Sequence, residues 1–113
     1  MTFVLTEVKA KSIIDLLCNY DSSLFYDEKL PLHKLNIIIE DMYPEAGYCI
    51  PDEDSDEYEM GLISDTGTYK AAVNLIAHEL VHLVQMHKNQ EVGHNTPIWY
   101  FYINKAKQQD III

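Results

Sequence analysis

Five consecutive residues, His78-Glu79-Leu80-Val81-His82, have the types and spacing that suit metal chemistry. Residues four apart on an α-helix advance by about 400°, so both imidazoles would project from one face and could share one ion. Glu79 would then flank the ion without having to bind it, in a position to hold a water molecule. The motif therefore predicts a hydrolytic zinc site with Glu79 as the general base.

A catalytic zinc site needs a third protein ligand and an open position for water, because two histidines supply only half of a tetrahedral shell. The loop over residues 88–95 is long enough to reverse the chain, and Gly93 offers the backbone freedom that a reversal often needs. This loop contains two candidates, His94 and Glu91. Glu91 would complete a site of two histidines and a carboxylate, so both candidates stay open at this point.

The other two histidines have a less favourable placement. His87 follows His82 by five residues, which rotates it by about 140° from the face of the two motif histidines. His33 has no partner nearby in the sequence. Both are predicted to be surface residues.

Three helices are predicted from apolar periodicity and capping residues. The central one runs from about Tyr69 to Lys88 without glycine or proline and carries the motif. Thr96 is a predicted N-cap, and the proline after it opens a last helix over residues 97–107. Near the start, Thr6 caps a helix over residues 7–18.

A further N-terminal helix is predicted to begin near Pro31 and to end at Pro44. Its apolar face would carry Leu32, Leu35, Ile38, Ile39 and Met42. Two short stretches, Gly47–Ile50 and Tyr58–Ser64, favour strands because they are short, rich in Tyr and Ile, and alternate in polarity. The predicted fold class is therefore α+β: two N-terminal helices, a small antiparallel sheet, a central helix and a C-terminal helix.

Charge and composition limit the partners of the chain. The 113 residues suffice for one domain over 1–113 and carry a formal charge of -10, which disfavours direct nucleic-acid binding. Six of the eight residues from Asp52 to Glu59 are acidic, which indicates a solvated loop.

No apolar stretch approaches the roughly 20 residues of a membrane span, and no secretory signal is evident, so a cytoplasmic protein is expected. Cys18 and Cys49 are expected to be unpaired core residues.

The run HELVHLVQMHKNQEVGHNTPIWYFYINKA resembles the core of the SprT-like zinc metallopeptidases. In that family a helical HExxH is followed by a short loop, a Gly-His pair and an aromatic residue, which correspond here to Gly93-His94 and Trp99. The resemblance covers residues 58–107 well and the N-terminal third in outline. It implies a minimal zincin-like fold, one zinc ion per chain bound by His78, His82 and His94, and catalysis by Glu79. It thus favours His94 over Glu91.

The resemblance does not extend to a role on DNA. Many SprT-like proteins carry a four-cysteine zinc ribbon and act on DNA-associated substrates, whereas this chain has no cysteine after Cys49 and is acidic. The predicted function is zinc-dependent hydrolysis of peptide bonds in a protein or peptide substrate by a metal-activated water. Two alternatives stay open: a non-catalytic zincin-like binding protein whose acidic surface engages a basic partner, and hydrolysis of a non-peptide amide or ester.

The last three residues, Ile111–Ile113, are unusually apolar for the end of a sequence. They are expected to pack into an apolar groove or to add to a sheet edge.

Overall fold

Helices and two small sheets form an α+β fold in the computed structural model, which describes residues 2–41 and 45–113. The helices are α1 (Glu7–Cys18), α2 (Tyr69–His87) and α3 (Pro97–Lys107). The strands are β1 (Phe3–Val4), β2 (Leu35–Glu40), β3 (Gly47–Pro51), β4 (Tyr58–Ile63) and β5 (Asp65–Gly67), and two 3₁₀ turns span Tyr26–Glu28 and Leu32–Lys34. Among the described residues, no helix is both long and apolar enough to cross a membrane.

The three α-helices begin where their capping residues predict. The Thr6 hydroxyl accepts the Lys9 N–H at the start of α1, and the Thr96 hydroxyl accepts the Trp99 N–H at the start of α3. Thr68 caps α2 in the same way. Each cap satisfies an N–H that has no partner within its helix, so these helix starts are encoded locally.

The predicted second helix is wrong. Residues Leu35–Glu40 form strand β2, and only the 3₁₀ turn Leu32–Lys34 before it is helical. The physical reason is the run of three isoleucines, 37–39, whose β-branched side chains favour a strand and are all partly buried. The other two residues of that prediction, Met42 and Pro44, lie outside the described residues.

The main sheet has the strand order β2-β4-β3. Strands β3 and β4 are antiparallel, as predicted, with Gly47 opposite Leu62. Strand β2 pairs with β4 in parallel, with Leu35 opposite Tyr58, so the predicted antiparallel sheet is in fact mixed. The acidic segment between β3 and β4 is an exposed turn closed by a hydrogen bond from the Asp52 N–H to the Glu57 carbonyl.

Helix α2 packs one face on this sheet and another on α1, and most of its second half is buried. The core contains Met60 and Leu62 from β4 and the apolar side chains of α2, which include Ala72, Ile76, Leu80, Leu83 and Val84. Both cysteines are buried and unpaired, as predicted. The HExxH motif therefore lies on a helix whose second half is largely buried.

Candidate metal centre

The middle of α2 and the loop after it bring His78, His82 and His94 together. One ring nitrogen from each lies within 4.8 Å of the others, and His82 Nε2 is 3.1 Å from His94 Nε2. His82 is buried, His78 is partly buried and His94 is exposed, so the cluster opens toward solvent on one side. Glu91, the alternative third ligand, is not part of this cluster, and His33 and His87 are exposed elsewhere.

The spacing of these nitrogens fits a zinc ion. Two nitrogens bound at about 2.05 Å to a tetrahedral ion lie about 3.3 Å apart, close to the observed His82–His94 separation. The widest pair of nitrogens in the cluster would have to close by at most about 1.5 Å to reach this separation. The donor set, three imidazoles with a solvent-facing side, is one that catalytic zinc sites use.

Two of the three imidazoles, those of His78 and His82, have a hydrogen-bond partner for the ring nitrogen that faces away from the cluster. His78 Nδ1 is 3.0 Å from the main-chain oxygen of Ile113, and His82 Nδ1 is 2.8 Å from Gln85 Oε1. Such partners fix ring orientation and leave Nε2 free for a metal. Burial also lowers the pKa of His78 and of His82, which favours the neutral form that binds metal ions.

Trp99 forms the wall behind all three imidazoles. Its ring stacks on His94 and His82, with centroid distances of 4.4 and 5.6 Å, and meets the edge of His78 at 4.9 Å. The indole ring belongs to α3 and is itself buried in the core. Trp99, near the start of α3, thus helps to hold His94 of the loop against His78 and His82 of α2.

The Glu79 carboxylate is buried beside the cluster, with Oε2 4.0 Å from His78 Nε2. Burial, and next the charge of Glu45, raise the pKa of Glu79 to about 7. Strand β3 approaches closely here, because a Cβ added to Gly47 would lie 3.4 Å from Glu79 Oε2. Helix and strand together hold this carboxyl group in a confined, poorly hydrated place.

An open cleft of about 580 Å³ runs past the cluster. One wall is the strand segment 46–49, and the opposite wall comes from α2 and from the last two residues of the sequence. Ile111 is buried, and the Ile112 N–H donates to Asn74 Oδ1, so the tail packs against α2 and does not extend a sheet. The predicted packing of the tail is confirmed, and it forms part of the cleft.

The loop from α2 to α3 reverses without a left-handed glycine. The positive φ of this loop, 54°, belongs to Asn89, whereas Gly93 does not have a positive φ. The expectation that the reversal uses the backbone freedom of Gly93 is therefore wrong for the left-handed region. Gly93 instead offers its main-chain N–H and carbonyl to the Gln85 side chain. Gln85 was missed by the sequence reasoning, although a glutamine on the apolar face of a helix, three residues after His82, is a signal for it.

Comparisons with models of protein families, with curated proteins and with solved structures found no match to this chain. A functional assignment therefore depends on the residues of the chain and on their geometry. These comprise three convergent imidazoles, a buried carboxyl group beside them and an open cleft. Chemically, this arrangement can bind one divalent ion and accept a proton next to it.

Proposed function

We propose that the chain is a zinc-dependent peptidase in which His78, His82 and His94 bind one zinc ion and Glu79 is the general base. The observation that carries the proposal is the Glu79 carboxylate held 4.0 Å from His78 Nε2, beside three convergent imidazoles that line an open cleft. A structural zinc site has no need for an adjacent buried carboxylate or for access to solvent. The likeness to SprT-like metallopeptidases and a zincin-like arrangement of the α+β fold are proposed with it.

Each residue has a distinct part in the proposed reaction. A zinc ion bound by the histidines would supply Lewis acidity, which activates a water molecule and polarises the scissile carbonyl. Glu79 accepts the proton of the attacking water and transfers it to the nitrogen of the leaving amine. In the zinc-free chain, burial raises the pKa of this carboxyl group to about 7. The positive charge of a bound zinc ion would lower this pKa again and favour the carboxylate form that accepts the proton.

Strand β3 favours a peptide as the substrate. Within residues 2–41 and 45–113, β3 pairs with β4 alone, so the backbone groups of its other edge have no strand partner. Its residues 47–49 line the cleft next to Glu79. An extended peptide can add to a free strand edge through main-chain hydrogen bonds, which a small ester or amide cannot do.

Metal content tests the first half of the proposal. The parent chain and His94→Ala are purified without added metal, and zinc per chain is measured by inductively coupled plasma mass spectrometry. We expect about one zinc per parent chain and a strong loss in the variant, because two ligands hold zinc weakly. His87→Ala is the matched control, since this exposed histidine ends α2 outside the histidine cluster and its loss should leave zinc unchanged. A parent chain without zinc after reconstitution would contradict the proposal.

Cleavage of a peptide library, followed by mass spectrometry, tests the second half. Glu79→Gln should retain zinc and lose about 10²–10⁴-fold in cleavage rate, because the amide cannot accept the proton. Glu91→Gln removes an exposed loop carboxylate outside the histidine cluster and should cleave like the parent. The alternative of a binding protein would be supported by two results together. The zinc-loaded parent would cleave no peptide, and the parent and both variants would bind basic proteins equally well.

A further inference from the structure

The side chain of Gln85 connects three parts of the candidate site. It is fully buried on α2, one turn after His82. Its Oε1 lies 2.8 Å from His82 Nδ1 and 3.3 Å from the Gly93 nitrogen, while its Nε2 donates to the Gly93 carbonyl and to the Thr96 hydroxyl, each at 2.9 Å. One amide thus uses its full hydrogen-bonding capacity to link His82, the loop that carries His94 and the N-cap of α3.

The main chain of Gly93 determines the orientation of this amide. A backbone N–H can only donate and a carbonyl can only accept, so Oε1 must face the former and Nε2 the latter. His82 Nδ1 must then donate to Oε1 and therefore carries the ring proton. The lone pair of His82 Nε2 is left facing the cluster, 3.1 Å from His94 Nε2.

We propose that Gln85 is a positioning residue that prepares two of the three metal ligands before the ion binds. It holds His82 in the tautomer with the proton on Nδ1, and it holds the loop at Gly93 so that His94 meets His82. This inference rests on the proposed function for the role of the cluster as a zinc site. An apolar residue of similar size would fill the same space but would leave the His82 ring and the loop without these hydrogen bonds.

Zinc affinity provides the first test. Gln85→Met preserves side-chain length and burial, and competition with a chromophoric chelator should show zinc binding about 10–100-fold weaker than in the parent. Gln108→Met makes the same chemical change at an exposed position after α3, and we expect its affinity to stay within about twofold of the parent. Equal zinc affinity of a folded Gln85→Met and the parent would overturn the inference.

The tautomer of His82 provides a second test that needs no metal. In zinc-free protein at pH 8, ring ¹H–¹⁵N correlation spectra of the parent should show the proton of His82 on Nδ1. Gln85→Met should shift His82 toward the tautomer mixture of a free imidazole, whereas Gln85→Glu, which keeps an acceptor, should restore the Nδ1 proton. A parent His82 protonated on Nε2 would refute the role of Gln85, even if every variant failed to fold.

The two proposals can fail separately. A parent chain that binds no zinc would refute the peptidase proposal, while the ring spectra would still decide whether Gln85 fixes His82. A zinc-binding parent with a freely exchanging His82 tautomer would refute only the role of Gln85.

Discussion

The indole ring of Trp99 stacks on the imidazole of His94, with ring centroids 4.4 Å apart and planes inclined by 28°. His94 is otherwise an exposed loop residue, so this contact with a buried core residue restricts where its ring can lie. The packing of α3 therefore affects where the third histidine of the candidate metal centre lies.

Trp99→Phe should therefore weaken both the fold and the site. The smaller ring buries less apolar surface and contacts His94 less fully, so we expect a loss of about 1–2 kcal/mol in the free energy of unfolding and several-fold weaker zinc binding. Denaturant unfolding and chelator competition measure the two effects. Phe101→Leu, on the exposed face of α3, should change neither, and zinc affinity unaltered in Trp99→Phe would show that the stacking does not position His94.

Glu79 should make the stability of zinc-free protein depend on pH. Its pKa is raised from 4.5 to about 7 in the folded chain, so between these values the folded state binds more protons than the unfolded state. Stability contributed by protonated Glu79 is present below pH 4.5 and is lost as the pH rises to about 7. Relative to Glu79→Gln, the parent should lose about 1–3 kcal/mol across this window in the presence of a chelator, as measured by urea unfolding. A parent–variant difference that is constant with pH would contradict the raised pKa.

Gly47 should tolerate no side chain. An added Cβ would lie 2.9 Å from the Gly61 carbonyl oxygen and 3.2 Å from Leu75 Cδ1, so Gly47→Ala must move the strand or the helix. We expect a loss of about 1–3 kcal/mol in unfolding free energy, and reduced cleavage because a shift of the strand or the helix would change the cleft beside Glu79. Gly93→Ala is the control, since its Cβ would meet only Thr96 Cγ2 at 3.8 Å. Equal stability of the two variants would show that β3 can shift without cost.

The two cysteines should be unreactive in the folded chain. Burial raises the pKa of Cys18 and of Cys49 to about 12, so very little thiolate is present near neutral pH. A disulfide reagent such as DTNB should label neither thiol rapidly at pH 7.5 and both in denaturant. Rapid labelling of Cys49 in native protein would indicate that β3 opens beside the cleft.

Local sequence patterns were sufficient to predict the three α-helices and the part of the candidate site that lies on α2. The caps at Thr6 and Thr96 and the apolar period of α2 act over a few residues, so the helix bounds could be predicted from the sequence. His78, Glu79 and His82 share one helical stretch, and their relative placement follows from helix geometry alone. Strand β2 was mistaken for a helix because its apolar spacing fits both periods. Its three isoleucines favour a strand, and this strand is completed by its pairing with β4.

The rest of the site depends on contacts between residues far apart in the chain. His94 reaches the cluster because Gln85 binds the loop at Gly93 and Trp99 packs against the ring, and the partner of His78 Nδ1 is Ile113, 35 residues away. The sequence by itself therefore determined the helical half of the centre, where spacing is set by the rise and turn of a helix. The position of the third histidine and the hydrogen bonds behind the helical histidines were decided by tertiary packing, because loop and tail positions have no local period that encodes them.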